Sequence, residues 1–161
     1  MTDETTSRPP DVLEFVVTWF GSGLLPHIPG TWGSLAALPF AWILATVTGR
    51  PTLAIMAGAL FLLGWWASDR YAGRCGEPDP GRVVIDEVVG QWLTLLATPP
   101  EPVGYALGFL LFRIADILKP WPVSWADRKV KGGLGIMLDD VLAAGYAALV
   151  LHLVLGTGVL P

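Results

Sequence analysis

Five long apolar stretches, each closed by a hard break, limit what this chain can fold into. They run over residues 35–48, 52–68, 83–98, 103–118 and 136–155. Gly49-Arg50-Pro51 ends the first, and Pro99-Pro100-Glu101-Pro102 separates the third from the fourth. Proline and glycine at such points stop a helix or turn the chain. No alternation of apolar and polar residues is long enough to read as a strand, and no internal repeat recurs at a fixed period. The expected fold class is therefore all-α: a compact bundle of about five long apolar helices. Residues 12–20 read as a further short helix. Residues 1–10 read as a disordered tail, and 11–161 as one helical domain.

Folding the five stretches back and forth sorts the charges. Nine of the ten Lys and Arg residues fall on one side, leaving Arg50 opposite, and thirteen of the fourteen acids join them, leaving Glu101. Apolar residues make up 53% of the chain and charged residues 15%, against about a quarter in an ordinary soluble domain. Together these point to a multi-pass membrane protein with its Lys/Arg-rich face in the cytoplasm. Several stretches are nearer 15 residues than the ~20 needed to cross the hydrocarbon core, so short spans or buried core helices are both open. The eight tryptophans suit interfacial anchoring. A net charge of −4 argues against nucleic acid. One cysteine, Cys75, excludes an internal disulfide, and the polar, acidic N-terminus carries no visible secretory signal.

Two features concern packing. Glu87, Gln91, Thr94 and Thr98 recur at helical spacing and draw a polar stripe that should face protein rather than lipid. Gly104 and Gly108 form a small-xxx-small pair that lets two helices approach closely.

The chemistry is concentrated in the acids. Asp86-Glu87 and Asp139-Asp140 are carboxylate doublets at the charged ends of apolar segments, and Asp116 shares a helix face with Arg113 and Lys119. Hard oxygen ligands without clustered histidine or cysteine suit Mg²⁺, which would also relieve the repulsion among them. The competing reading is that each acid pairs with a nearby arginine. For phosphate, the run Lys131-Gly132-Gly133-Leu134-Gly135 before the last helix offers backbone N–H groups at a helix N-terminus, with Arg113 and Lys119 as balancing charges. The turn Gly30-Thr31-Trp32-Gly33-Ser34 is a second such candidate, although Thr31 or Ser34 capping the next helix explains it equally simply. Other phosphatase chemistries fail on spacing. Cys75 and Arg82 have six residues between them where a cysteine phosphatase needs five, His27 and His152 are the only histidines, and no Asp-x-Asp is present.

Several motifs together carry a family resemblance. They are Gly21-Ser-Gly-Leu-Leu-Pro26 with Pro29-Gly-Thr-Trp-Gly-Ser34, Asp86-Glu-Val-Val-Gly90, Phe112-Arg-Ile-Ala-Asp-Ile-Leu-Lys-Pro-Trp-Pro122, and the run from Asp127 to Asp140. On these residues the chain resembles the bacterial phosphatidylglycerophosphatase A family over nearly everything after the first ten residues. The resemblance implies an all-α enzyme of the cell inner membrane that needs Mg²⁺ and converts phosphatidylglycerophosphate to phosphatidylglycerol in phospholipid biosynthesis.

The expected site follows. Asp86, Glu87, Asp139 and Asp140 hold Mg²⁺, and Asp116 ligates it or positions water. Thr31, Arg113, Lys119, Lys131, Gly132 and Gly133 bind substrate. A bound ion lowers the pKa of a water that attacks in line, with an aspartyl-phosphate route left open. The alternatives are a small membrane cation channel or transporter, which should place acids near midsegment, and a non-catalytic membrane subunit, which leaves the doublets unexplained.

Overall fold

A computed structural model describes residues 11–156. The expected tail at residues 1–10 lies outside them. Seven α-helices follow in order: α1 Val12–Val17, α2 Pro29–Val47, α3 Arg50–Cys75, α4 Ile85–Leu95, α5 Pro102–Leu118, α6 Val123–Lys129 and α7 Gly132–Gly156. A 3-10 turn, Ser22–Leu24, joins the first two, and the described residues contain no strand.

The starts and stops follow local chemistry. The Asp11 carboxylate accepts the Glu14 N–H and caps α1. Pro29 opens α2 and Pro102 opens α5, positions where a missing N–H is harmless. The Glu101 carboxylate caps α5 by accepting the Gly104 N–H at 3.0 Å. Gly76 ends α3 in the left-handed region, as Lys119 ends α5.

Helix α4 is the axle of the bundle. It packs against α2, α3, α5 and α7, and eight of its eleven residues are buried. At ~1.5 Å per residue it is roughly 16 Å long, about half a hydrocarbon core, so the expected third span is instead an enclosed helix. Three helices, α2, α3 and α7, are long and apolar enough to cross a membrane. Their outer faces and that of α5 expose Phe40, Ile43, Leu62, Leu110 and Leu153, a surface suited to hydrocarbon rather than water.

The polar stripe and the glycine pair are two halves of one joint. Gln91, Thr94 and Thr98 are buried, and a Cβ added at Gly104 would strike the Thr98 hydroxyl at 2.1 Å. A Cβ at Gly108 would meet Leu95 at 2.9 Å, and one at Gly90 would meet the Phe112 ring at 2.5 Å. Glycines on each helix thus let side chains of the other pack directly on its backbone, which a Cβ at those positions would prevent.

Several expected boundaries move. Residues 29–34, read as a loop, are the first turns of α2. No side chain caps that helix, and the Ser34 hydroxyl donates back to the Gly30 carbonyl instead. Helix α3 runs on through the charged residues 69–75, past the apolar stretch that ends at residue 68. Gly132–Gly135 form the first turn of α7. Helix α6 was not anticipated.

Candidate active site

At the charged end of the bundle lies a cavity of about 260 Å³. The starts of α4 and α7, the end of α5, helix α6 and the loop at residues 78–83 enclose it. Seven carboxylates line it, from Asp79, Asp86, Glu87, Asp116, Asp127, Asp139 and Asp140, along with two lysines, Lys119 and Lys131.

Three carboxylates converge. Asp86 and Glu87 stand in the first turn of α4, and Asp140 lies two turns into α7. One oxygen from each falls within 4.8 Å of the others. Asp86 Oδ1, Glu87 Oε2 and Asp140 Oδ2 are buried without a hydrogen-bond partner. Buried carboxylate oxygens without partners, on residues whose carboxylates converge, are unfavourable unless a cation lies among them. Their number, hardness and spacing fit a divalent oxygen-seeking ion such as Mg²⁺.

Two of the neighbouring cations are paired with acids. Arg113 Nη1 lies 2.5 Å from Asp116 Oδ2 and 3.8 Å from Glu87 Oε1. Lys119 Nζ donates to Asp127 Oδ1 at 2.5 Å and to Asp139 Oδ2 at 2.6 Å, tying α5, α6 and α7 together. Of the second doublet, Asp140 therefore joins the cluster, while Asp139 turns to Lys119 and stands outside the group of three. The bond to Lys119 is what holds the Asp139 carboxylate away from the group. Asp116 lines the cavity from the Arg113 pair.

The expected phosphate loops are arranged differently. Gly132 lines the cavity, but the Gly133 N–H donates to Asp69 Oδ1 at 3.0 Å and is thereby occupied. Gly133 itself meets α3 so closely that a Cβ would lie 2.2 Å from the Trp65 carbonyl. Asp69 is thus a cap supplied to α7 from another helix, a role its place in a charged run concealed. Thr31, partly buried in the first turn of α2, does not line the cavity, and nor does Arg113. Gly30 beside it has a distinct task. A Cβ there would come within 2.0 Å of Glu87 Oε1 and 3.1 Å of Arg113 Nη1, so glycine lets α2 close over that pair.

Burial and mutual charge set the electrostatics. Burial, then the neighbouring charges of Glu87 and Asp140, push the Asp86 carboxyl well above the carboxylate range. Burial pushes Glu87 up to about 7 against the pull of its contact with Asp86. Burial also raises Asp79, with Lys119 opposing. For Lys119, burial favours the neutral amine, but bonds to Asp127 and Asp139 outweigh it and hold the ammonium form. The ion-free cluster is thus short of positive charge beside a lysine that is already satisfied.

Comparison with known proteins gives the same outline. Residues 15–155 match the sequence profile of phosphatidylglycerophosphatase A. Phosphatidylglycerophosphatase A of Escherichia coli strain K12 is 43% identical over 136 residues, which cover 84% of this chain and 78% of that protein. The Haemophilus influenzae protein of the same name is 42% identical over 139 residues, covering 86% and 85%. A Bacteroides thetaiotaomicron protein, whose name provisionally assigns it phosphatidylinositol-3-phosphatase activity, is 40% identical over 153 residues, covering 87% and 91%. No solved structure matches.

Proposed function

The chain belongs to the phosphatidylglycerophosphatase A family and is a phosphatase, and on that premise we propose that it hydrolyses phosphatidylglycerophosphate to phosphatidylglycerol and phosphate, using Mg²⁺, at the cytoplasmic face of a bacterial inner membrane. The observation that carries the reading is the convergence of Asp86, Glu87 and Asp140 with one buried, unpartnered oxygen apiece. The substrate identity is the printed activity of two relatives covered over most of their length. Three apolar helices and a charged end suit an enzyme acting on a lipid headgroup.

In this proposal Asp86, Glu87 and Asp140 hold Mg²⁺, which when bound supplies a Lewis acid for the phosphate and an acidified water. The chain's own residues do the rest. Arg113 neutralises Asp116 and Glu87 from behind, so the carboxylates keep their orientation. Asp116, on the cavity wall, orients the attacking water and takes up its proton. Lys119 and Lys131, which line the same cavity, offer their charge to the phosphate, and Lys119 shifts from its carboxylates toward the transferring group as charge develops there. Asp139 and Asp127 hold Lys119 ready between turnovers. The acids sit at the end of the bundle and not midway along it, which separates this reading from an ion-conducting path.

The test is phosphate release by purified protein in detergent, with and without Mg²⁺, from phosphatidylglycerophosphate and from phosphatidylinositol 3-phosphate. The proposal expects Mg²⁺-dependent release, faster from the first lipid. No release from it, or equal release with a chelator present, would overturn the assignment.

A further inference from the structure

The seam between α5 and α7 holds a second cavity of about 200 Å³, lined by apolar side chains and the Tyr146 ring. Its form has a simple cause. Ala115 and Ala147 are small and buried at its floor, while Leu111, Ile114 and Leu118 on one side and Tyr146 and Val150 on the other stand up as walls. The Tyr146 hydroxyl donates to the Trp121 carbonyl at 2.6 Å and fixes the end nearest the charged face.

Two placements join this groove to the carboxylate cavity. Tyr146 and Ala147 follow Asp139 and Asp140 by seven residues, so they lie on the same face of α7, two turns and roughly 10 Å farther along. At the end of α5, Leu118 and Pro120 line the groove, while Lys119 between them lines the polar cavity. The α5–α7 seam therefore carries a charged chamber at its end and, past the buried Ala143 and Ala144, a separate apolar trough about two turns farther along. That is the polarity of a phospholipid whose phosphate leads.

We propose that this groove seats an acyl chain of the lipid whose phosphate enters the carboxylate cavity. The inference rests on the reading of that cavity as a lipid phosphomonoester site. Inside a bilayer the groove has little hydrophobic advantage, since the surrounding tails are as apolar as its walls. Its contribution is orientation: a seated chain sets the depth and angle at which the phosphate meets the lysines and acids.

The test fills the trough. Ile114→Trp and Val150→Trp change wall positions that are 44% and 40% exposed, so an indole can occupy the groove without entering the core. Leu110→Trp, at a 52% exposed position of α5 outside the groove, is the control. For each protein, kcat/KM is measured with long-chain phosphatidylglycerophosphate in micelles and with its deacylated headgroup. The Mg²⁺-induced rise in melting temperature reports whether the polar site is intact. The groove variants should lose about tenfold in kcat/KM on the lipid, by mispositioning, and keep headgroup turnover and the Mg²⁺ response. Leu110→Trp should behave as wild type. Unchanged lipid kinetics, an equal loss on both substrates, or the same loss in Leu110→Trp would overturn the groove assignment. So would a change in oligomeric mass with lipid kinetics intact, since the trough would then be an interface with another chain. A wild-type protein that releases phosphate from neither substrate would remove the phosphatase reading itself.

Discussion

The two ends of the bundle share helix-capping acids, such as Asp11 and Asp69 at one and Glu101 at the other, but the crowded end also holds acids that cap nothing. At the end with few charges, each one completes a backbone. Glu101 accepts the Gly104 N–H at the head of α5, and Arg50 donates to the Leu96 carbonyl beyond α4 at 3.3 Å. At the crowded end, Asp86, Glu87 and Asp140 each keep a buried oxygen without a partner. Helix termini satisfied by side chains stabilise a fold. Carboxylates held together unsatisfied weaken it, and persist only if a ligand restores the balance. The contrast separates structural charge from charge reserved for chemistry.

The sharpest way to break that contrast is to neutralise neighbours. Asp140→Asn should lower kcat by at least about 100-fold, because it removes a cluster ligand and leaves the shape. Asp139→Asn should lower it only several-fold, since Asp139 acts through Lys119. Steady-state phosphate release on both variants measures the gap, and equal losses would erase the distinction between them.

Packing beneath the cluster comes next. A Cβ at Gly90 would meet the Phe112 ring at 2.5 Å and the Asp140 carbonyl at 3.0 Å, with a helix on each side unable to yield. Gly90→Ala should destabilise the protein by about 1–3 kcal/mol, measured by denaturant unfolding in detergent. A neutral outcome would mean that the α4 contacts are looser than this geometry.

The pH response of the ion-free protein follows from the raised carboxyls. Asp86 and Glu87 favour their neutral forms when folded, so their contribution is full below the ordinary carboxylate range and is lost as pH rises through the folded values, about 7 for Glu87. Ion-free protein should therefore melt lower at pH 8 than at pH 5, and Mg²⁺ should remove most of the difference. Melting curves at the two pH values with EDTA decide it.

The smallest effect belongs to the opposite end. Glu101→Gln weakens one helix cap and should cost about 1 kcal/mol of stability with turnover within twofold of wild type. A large loss of activity there would mean that the two ends are coupled.

Much of this was open to a reader of the sequence. Apolar length and hard breaks gave the helices, and charge partition gave the functional end. The stripe from Glu87 to Thr98 and the pair Gly104–Gly108 were each legible, but their contact was not, since pairing of helices is a tertiary fact. The reversal at Gly30-Thr31-Trp32-Gly33-Ser34 has a clear reason. Glycines there look like an anion loop, whereas Gly30 and Gly33 clear space for Glu87 and Val84. Helix α6 is only seven residues long and follows Pro120 and Pro122, too short a pattern to read as a helix. The split within Asp139-Asp140 is set by Lys119, 20 residues earlier in the chain, and such a tertiary pairing leaves no local signal. The anchoring of Gly133 by Asp69, 64 residues away, leaves no local signal.

The central claim is that Asp86, Glu87 and Asp140 form one cation site, and Mg²⁺ titration of ion-stripped protein by calorimetry and by melting temperature tests it most directly. Wild type should bind Mg²⁺ and gain roughly 3–4 kcal/mol of stability at 100 to 1,000 times Kd, by mass action on the folded state. Asp140→Asn should lose most of that gain while Asp139→Asn keeps it. Wild-type protein that binds no Mg²⁺, or an Asp140→Asn variant that binds it with undiminished affinity, would contradict the account.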